Sequence, residues 1–262
     1  MEVSLKNKNA VVCGSTQGMG KAIALQFAAS GASVTLVARN EQSLREVLRQ
    51  LSKSKKQKHN FIVADFSEPE TLRKKIKDFV SENPPVHILV NNSGGPKSGE
   101  ANKASTEEYV NAFKQHLICN QILVQAVVEG MKKEKYGRII NIISTSVKQP
   151  IKSLGVSNTT RWAVAGWAKT LAAELAPFGI TVNNILPGAT KTQRLYSLFE
   201  ARAKDSGKKV EEIEKEWLDE IPAERFGEPE EIAYTAAFLA SSLAGYINGI
   251  NVPVDGGRLQ SL

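Results

Sequence analysis

The chain has 262 residues, 42% of them hydrophobic, and its 34 Lys and Arg outnumber 27 Asp and Glu to give a net charge of +7. This length can bury a substantial core. No apolar run reaches the roughly 18 residues of a membrane span, and none forms a signal peptide, so we expect a cytoplasmic protein without a membrane partner. Two cysteines and three scattered histidines predict neither a disulfide nor a metal site. The lysine-rich segment 53–58 lacks interleaved aromatic residues, which argues against a nucleic-acid partner.

Short apolar strands alternate with amphipathic helices along the chain. We predict strands at residues 10–13, 33–38, 61–64, 86–90, 138–143, 180–186 and 250–254. Helices follow these strands, one of them starting at Thr106 with that threonine as its cap, another capped by Ser157 or Asn158. Repeated strand–helix–strand units favour an α/β fold with a doubly wound, Rossmann-type parallel sheet, and we expect a single domain over residues 1–262. The mixed-charge segment at about 189–226 is predicted to be a mobile substrate-loop insertion.

The first strand runs into a glycine-rich turn that opens a helix. Gly14 permits a sharp turn, Gly18 permits close approach of backbone to a pyrophosphate, and Gly20 permits the helix to pack closely on the strand. The amides at the helix start then face an anion. The pattern therefore predicts a dinucleotide site, the alternative being a turn that binds nothing.

The end of the second strand indicates which dinucleotide is bound. A free ribose 2′-hydroxyl usually meets an acidic side chain about 20 residues beyond the glycines, whereas a 2′-phosphate meets Arg. Arg39 occupies this region and no acid appears before Glu41, which favours NADP over NAD. The alternative is a solvated arginine at a strand end. Asp65, after the third strand, is a candidate partner for the adenine.

Several motifs, in order and at matching spacing, resemble those of the short-chain dehydrogenase/reductase family. They are CGSTQGMG, NNSG, GRIINIIS, ITVNNILPG, RFGEPEEIAYTAAFLAS and NGINVPVDGG. The resemblance spans nearly the whole chain and is strongest to 3-oxoacyl-(acyl-carrier-protein) reductase-like members. It implies an NADP-dependent oxidoreductase that acts on a carbonyl or alcohol, with a carrier-bound acyl thioester as one candidate substrate, and it implies a homotetramer.

The resemblance also assigns residues to parts of the cofactor. These are Gly14, Ser15, Gln17, Gly18, Met19 and Gly20 for the pyrophosphate, Arg39 for the 2′-phosphate, Asp65 and Phe66 for the adenine, Asn92, Ser93 and Gly94 for the ribose, and Pro187, Gly188, Thr190 and Thr192 for the nicotinamide end. Cys13 stands where the family has threonine, which removes a hydroxyl that ties the turn together.

The family's catalytic set of Asn, Ser, Tyr and Lys is only partly present. Ser144 matches the serine, but Ser157 stands at the tyrosine position and Arg161 at the lysine position. His116 falls at the asparagine position, with Asn120 one turn later as the alternative. Both residues that handle the proton in the family are therefore replaced.

The replacements change what the site can do. A serine hydroxyl has a pKa several units above the ~10 of tyrosine, and arginine does not deprotonate in proteins, so Ser157 is a poor general acid. Arg161 can reach the ribose or clamp a substrate carboxylate or phosphate. The alternative is that Ser157 caps a helix and Arg161 pairs with a surface acid. His116 and Tyr196 are the candidate proton donors.

Three functions remain open from the sequence. The first is an NADP-dependent oxidoreductase in which Ser144 orients the carbonyl. The second is a dinucleotide-binding regulatory protein without turnover. The third is a non-redox elimination or isomerisation in which Arg161 holds an anion. A fold alone does not choose among them.

Overall fold

The structure, a computed structural model, describes residues 2–261. Within this range strands and helices alternate along the chain. The strands are β1 (Asn9–Cys13), β2 (Ser33–Ala38), β3 (Asn60–Val63), β4 (Ile88–Asn91), β5 (Gly137–Ile142), β6 (Ile180–Pro187) and β7 (Asn251–Val254). The α-helices are α1 (Gly18–Ala29), α2 (Glu41–Gln50), α3 (Pro69–Glu82), α4 (Thr106–Phe113), α5 (Cys119–Glu134), α6 (Gly155–Leu175), α7 (Gln193–Ser206), α8 (Val210–Asp219) and α9 (Pro229–Ala240).

All strands pair in parallel in one sheet of order β3-β2-β1-β4-β5-β6-β7. The order reverses between β1 and β4, because the chain returns there to the other side of β1. Ligands of open parallel sheets bind at such a switch point, outside the carboxyl ends of the strands. The predicted doubly wound, single-domain α/β fold is confirmed.

A hydrophobic layer lies on each face of the sheet. Helices α1, α2 and α9 cover one face, where Ile23 and Phe27 are fully buried. Helices α3, α5 and α6 cover the other face, with Leu72 and Leu123 buried against the strands. Both faces of the strands are thus removed from water, which explains their apolar, β-branched sequences.

Helices α7 and α8 form a small unit with its own apolar core. The Phe199 ring lies 5.4 Å from that of Trp217 and 5.6 Å from that of Phe226, measured between centroids. Leu195 and Ile213 complete this core. The unit corresponds to the predicted insertion and forms one wall of the cleft described below.

Two predicted helix caps are wrong. Ser105, not Thr106, caps α4, because its side chain accepts from the Glu108 amide while the Glu108 carboxylate accepts from the Ser105 amide. This reciprocal pair satisfies two amides at once, which a Thr106 cap would not achieve. Neither Ser157 nor Asn158 caps α6, because that helix begins at Gly155, before both.

The helix that starts at Thr106 is joined to the next one by a wider turn. Residues Lys114–Ile118 form a single π-helical turn between α4 and α5. Such turns shift the direction of side chains and often lie at functional sites. This one carries His116. Among residues 2–261, no helix has both the length and the apolar character needed to cross a bilayer.

Candidate active site

A cleft of about 850 Å³ opens at the carboxyl ends of the strands. It brings together most of the residues that the sequence assigned to a site. Those lining it are Gly14, Gln17, Gly18, Met19, Arg39, Asp65, Phe66, Asn92, Ser93, Gly94, Ser144, Ser157, Arg161, Pro187, Gly188, Thr190 and Thr192. The predicted residues Ser15, Gly20 and His116 lie behind its surface.

The glycine turn after β1 has no room for side chains. Gly14 has a φ of +58°, and a Cβ on it would lie 2.8 Å from the backbone oxygen of Asn92. Gly18 has a φ of +51°, and its Cβ would lie 3.1 Å from Cγ2 of Thr192. A Cβ on Gly20 would lie 2.1 Å from the Gly14 oxygen, so close packing of α1 on β1 depends on this glycine. The turn therefore presents bare backbone to the cleft.

Ser15 has its side chain turned into the protein rather than toward the cleft. Its side chain is fully buried, and its Oγ accepts a hydrogen bond of 3.0 Å from the Val37 amide. The hydroxyl thus ties the turn to β2. The Asn92 amide adds a second tie by donating to the Cys13 oxygen at 3.2 Å.

Arg39 and Asp65 lie at the far end of the cleft, beyond β2 and β3. Arg39 is exposed. Burial raises the pKa of the Asp65 carboxyl, but hydrogen bonds from Ser67 and the charge of Arg39 outweigh this, and the net pKa lies below its usual value. Asp65 is therefore ionised at neutral pH.

Ser144 and Ser157 lie at the opposite end, where β5 ends and α6 begins. Ser144 is half-buried, and its Oγ accepts a hydrogen bond of 3.0 Å from the Ser146 amide. Because the oxygen accepts, the hydroxyl proton remains available to donate into the cleft. Ser157, half-buried in the first turn of α6, lines the same end.

Arg161 lies one helical turn beyond Ser157 and is only 8% exposed. Its Nη1 donates to the carbonyl oxygen of Ile142 at 3.2 Å. Within residues 2–261 it forms no ion pair with a carboxylate. Burial, with the nearby charge of Arg194, lowers the pKa of Arg161 to about 10. The surface ion pair considered for Arg161 is therefore absent from the described part of the chain.

His116 is held just behind the cleft wall. The π-helical turn buries the ring to 1% exposure and places its Nδ1 2.7 Å from the Oγ of Ser93, which does line the cleft. The Nε2 atom has no hydrogen-bond partner among residues 2–261. Burial, and then the charges of Arg161 and Arg194, lower the pKa of His116 well below its usual value. The ring is therefore neutral at pH 7.

The two alternatives to His116 lie elsewhere. Asn120 is buried one turn later in α5 and does not line the cleft. Tyr196 is 45% exposed, packs edge-on against Phe199 at 6.2 Å, and also lies outside the cleft. Neither side chain contacts the reacting end of the site in this conformation.

Arg194 is a cleft residue that the sequence analysis missed. It lies in the first turn of α7, and its Nη2 donates to the carbonyl oxygen of Pro96 in the loop after β4. The sequence contains only a basic residue two positions beyond Thr192, and nothing local relates it to Arg161. Gln115, Trp217 and Arg258 also line the cleft and were not predicted.

Comparison with known proteins agrees with this architecture. Residues 14–258 match a family model described as enoyl-(acyl carrier protein) reductase. The chain is 31% identical over 259 residues to the 3-oxoacyl-(acyl-carrier-protein) reductase FabG of Aquifex aeolicus, covering 98% of this chain and 99% of the relative. It is 29% identical over 259 residues to the NADPH-dependent reductase BacG of Bacillus subtilis, covering 98% of this chain and 100% of the relative.

A solved structure shows the same fold over the full length. The crystal structure of L-sorbose reductase from Gluconobacter frateurii, complexed with NADPH and L-sorbose, superposes with a TM-score of 0.92 at 32% identity and covers 100% of both chains. The strand order, the glycine turn and the sequence similarity lead to one assignment. The chain belongs to the short-chain dehydrogenase/reductase family.

Proposed function

We propose that this protein is an NADP-dependent oxidoreductase that interconverts a carbonyl and an alcohol. One observation carries the proposal. A single cleft joins the bare glycine turn after β1 to Ser144 after β5, with Arg39 at one end and Arg161 at the other. This is the arrangement that an extended dinucleotide and a small substrate require.

The residues of the cleft fit NADP. The positive φ angles of Gly14 and Gly18 and the lack of space for a Cβ there leave backbone free for the diphosphate. Arg39, exposed at the end of β2, supplies a guanidinium for the 2′-phosphate. Relatives described as NADPH-dependent or crystallised with NADPH support the same choice. When bound, the nicotinamide supplies or accepts the hydride.

Ser144 holds the substrate oxygen in this proposal. Its own oxygen accepts from the Ser146 amide, which leaves its proton free for a substrate oxygen in the cleft. A donor fixed in this way stabilises the negative charge that develops on a carbonyl oxygen during reduction.

Ser93 and His116 carry the proton in place of the missing tyrosine and lysine. In alcohol oxidation, the substrate hydroxyl gives its proton to the Ser93 oxygen while the Ser93 proton passes to Nδ1 of His116, 2.7 Å away. In reduction the same path runs backwards and requires His116 to be protonated first. Because burial and the charges of Arg161 and Arg194 hold the pKa of His116 well below its usual value, the imidazole is neutral at pH 7, so its lone pair can receive the proton in oxidation, and reduction by this path is expected to quicken as the pH falls.

The substrate and the assembly are finer parts of the proposal. A carrier-bound 3-oxoacyl thioester is one candidate carbonyl substrate, supported by the description of the Aquifex aeolicus relative and by the net charge of +7. The exposed apolar residues Val110, Ile118 and Trp162, on the α4–α6 side of the molecule, support a homotetramer formed through this side. Residues at about 189–226 act as a mobile wall that admits the substrate. Light scattering of the purified protein measures the assembly.

A dinucleotide-binding protein without turnover is the second candidate. It is favoured by the replacement of both proton-handling family residues by Ser157 and Arg161. A lyase or isomerase that uses Arg161 to hold an anion is the third.

Transfer of isotope from NADPH decides among them. The protein is incubated with NADPH deuterated at the nicotinamide C4 and a panel of carbonyl compounds that includes an acetoacetyl thioester, and products are analysed by mass spectrometry. Deuterium on a product carbon supports the oxidoreductase, whereas NADPH binding without transfer supports the regulatory protein. A redox-neutral product supports the third function. His116→Gln is expected to reduce transfer roughly 100-fold or more, the range of a lost general base.

A further inference from the structure

The charge of Arg161 has no counterpart inside the protein. The side chain is 8% exposed, yet its contact is the neutral carbonyl of Ile142, and it pairs with no carboxylate among residues 2–261. Buried charges in folded proteins are normally paired with an opposite charge. The absence of such a partner indicates that a ligand supplies it.

A second guanidinium converges on the same place from another element. Arg194 reaches from α7 to the loop after β4, and its charge acts on both Arg161 and His116. It also forms no ion pair with a carboxylate within the described residues. Two like charges facing one cleft repel each other unless an anion lies between them.

The position of the pair points to the substrate end of the cleft. Arg161 is anchored on Ile142, two residues before Ser144, whereas the diphosphate of the cofactor has its own site at the glycine turn. We propose that Arg161 and Arg194 bind an anionic group, a carboxylate or a phosphate, that the substrate carries close to its reacting carbon. The proposal rests on the oxidoreductase function above and narrows its substrates to small anionic carbonyl or hydroxy compounds.

This site also orients the substrate. The planar fork of Arg161 binds two oxygens of a carboxylate or phosphate at once, which fixes the direction of the group. With its anionic end on the arginines, the substrate presents its carbonyl toward Ser144 and Ser93. A neutral compound of the same size lacks this anchor and binds loosely.

Calorimetric titration of probe anions tests the site without any turnover. Malonate and inorganic phosphate are titrated into the protein saturated with NADP⁺, with malonamide as the neutral match. We expect malonate, phosphate or both to bind and malonamide to give no detectable heat. Arg161→Gln and Arg194→Gln are each expected to lower the affinity for the anion roughly ten- to hundredfold. Arg73→Gln, which removes an exposed charge from α3, leaves the affinity unchanged.

Other outcomes overturn the proposal. Equal binding of malonamide would show that the negative charge is not what the site recognises, and equal loss in the Arg73 variant would show only a general charge effect. Anion binding to the free protein that requires Arg161 and disappears on saturation with NADP⁺ would assign the arginine pair to the cofactor. If NADP⁺ itself fails to bind, the proposed function falls, but titration of the free protein still tests the arginine site. If Arg161→Gln is too unstable to measure, Arg161→Lys replaces it. This variant keeps the charge but lacks the planar fork, so we expect it to bind the anion with an affinity between those of the parent protein and of a variant without the charge.

Discussion

Replacement of Arg161 by methionine is expected to make the ligand-free protein more stable. The methionine side chain fills a similar volume and suits an apolar interior, and it removes a buried charge that has no partner among residues 2–261. Most substitutions of buried residues destabilise a protein, so the direction of this effect is a sharp test.

The size of the effect follows from the pKa of the side chain. Burial, and then the charge of Arg194, lower the pKa of Arg161 from its ordinary value to about 10. At about 1.4 kcal/mol per unit, the charged form is about 3 kcal/mol less favourable in the folded than in the unfolded chain. The side chain is charged in both states below pH 10, so this penalty is fully present at neutral pH and is relieved only as the pH rises above about 10 toward the ordinary pKa of arginine. The lost hydrogen bond to Ile142 offsets about 1–1.5 kcal/mol. The net gain is about 1.5–2 kcal/mol, or a rise of roughly 3–8 °C in Tm.

Thermal unfolding of both proteins, with and without phosphate or malonate, measures this effect. With both proteins saturated with NADP⁺, added anion is expected to raise the Tm of the parent protein more than that of Arg161→Met. Arg73→Met, which removes an exposed charge paired with Glu70, serves as the control and should change stability by less than about 1 kcal/mol. A loss of about 3–5 kcal/mol in Arg161→Met would instead reveal a compensated buried pair and refute the reasoning.

Three further predictions concern the cofactor turn and the histidines. Gly14→Ala is expected to lose about 1–3 kcal/mol of stability and most NADPH affinity, because its φ is +58° and its Cβ would lie 2.8 Å from a backbone oxygen. Urea unfolding measures the stability. The control is Gly166→Ala in α6, where a Cβ faces open space, and this variant should gain up to about 1 kcal/mol. Arg39→Ala should lower the affinity for NADPH roughly 10–100-fold and leave the affinity for NADH unchanged in fluorescence titrations. An equal loss of affinity for both nucleotides would show that Arg39 does not bind the 2′-phosphate. Burial lowers the pKa of all three histidines, so the unfolded chain takes up protons first and stability falls as the pH drops below about 6.5. His116→Gln should flatten this decline more than His59→Gln, and identical pH profiles of unfolding would contradict the burial of His116.

The sheet and the glycine turn were predictable because their signals are local. Apolar runs mark the strands, and Gly14, Gly18 and Gly20 mark a turn that needs positive φ or close packing. The cap of α4 was also predictable, because Ser105 and Glu108 have the Ser-x-x-Glu spacing of a capping box, whereas Thr106 has Tyr109 at the matching position. Residue type alone does not separate Ser105 from Thr106, so the prediction of Thr106 was wrong because it overlooked this spacing.

The reacting end of the site depends on contacts that no local pattern encodes. His116 reaches Ser93 because a π-helical turn redirects it, and that turn leaves no clear mark in the sequence. Arg194 joins Arg161 only because α7 folds back over the loop after β4. Sequence spacing identified the positions where family residues are replaced, but the partners of the replacements follow from the tertiary fold.

Fluorescence titration of the purified protein with NADPH and NADH tests the central claim most directly. Trp217 lines the cleft, and Trp162 and Trp167 lie in α6 beside it, so nucleotide binding should quench their emission or transfer it to the reduced nicotinamide. We expect tight binding of NADPH and weak binding of NADH. Failure of both nucleotides to bind would contradict the oxidoreductase and the dinucleotide-binding alternative together.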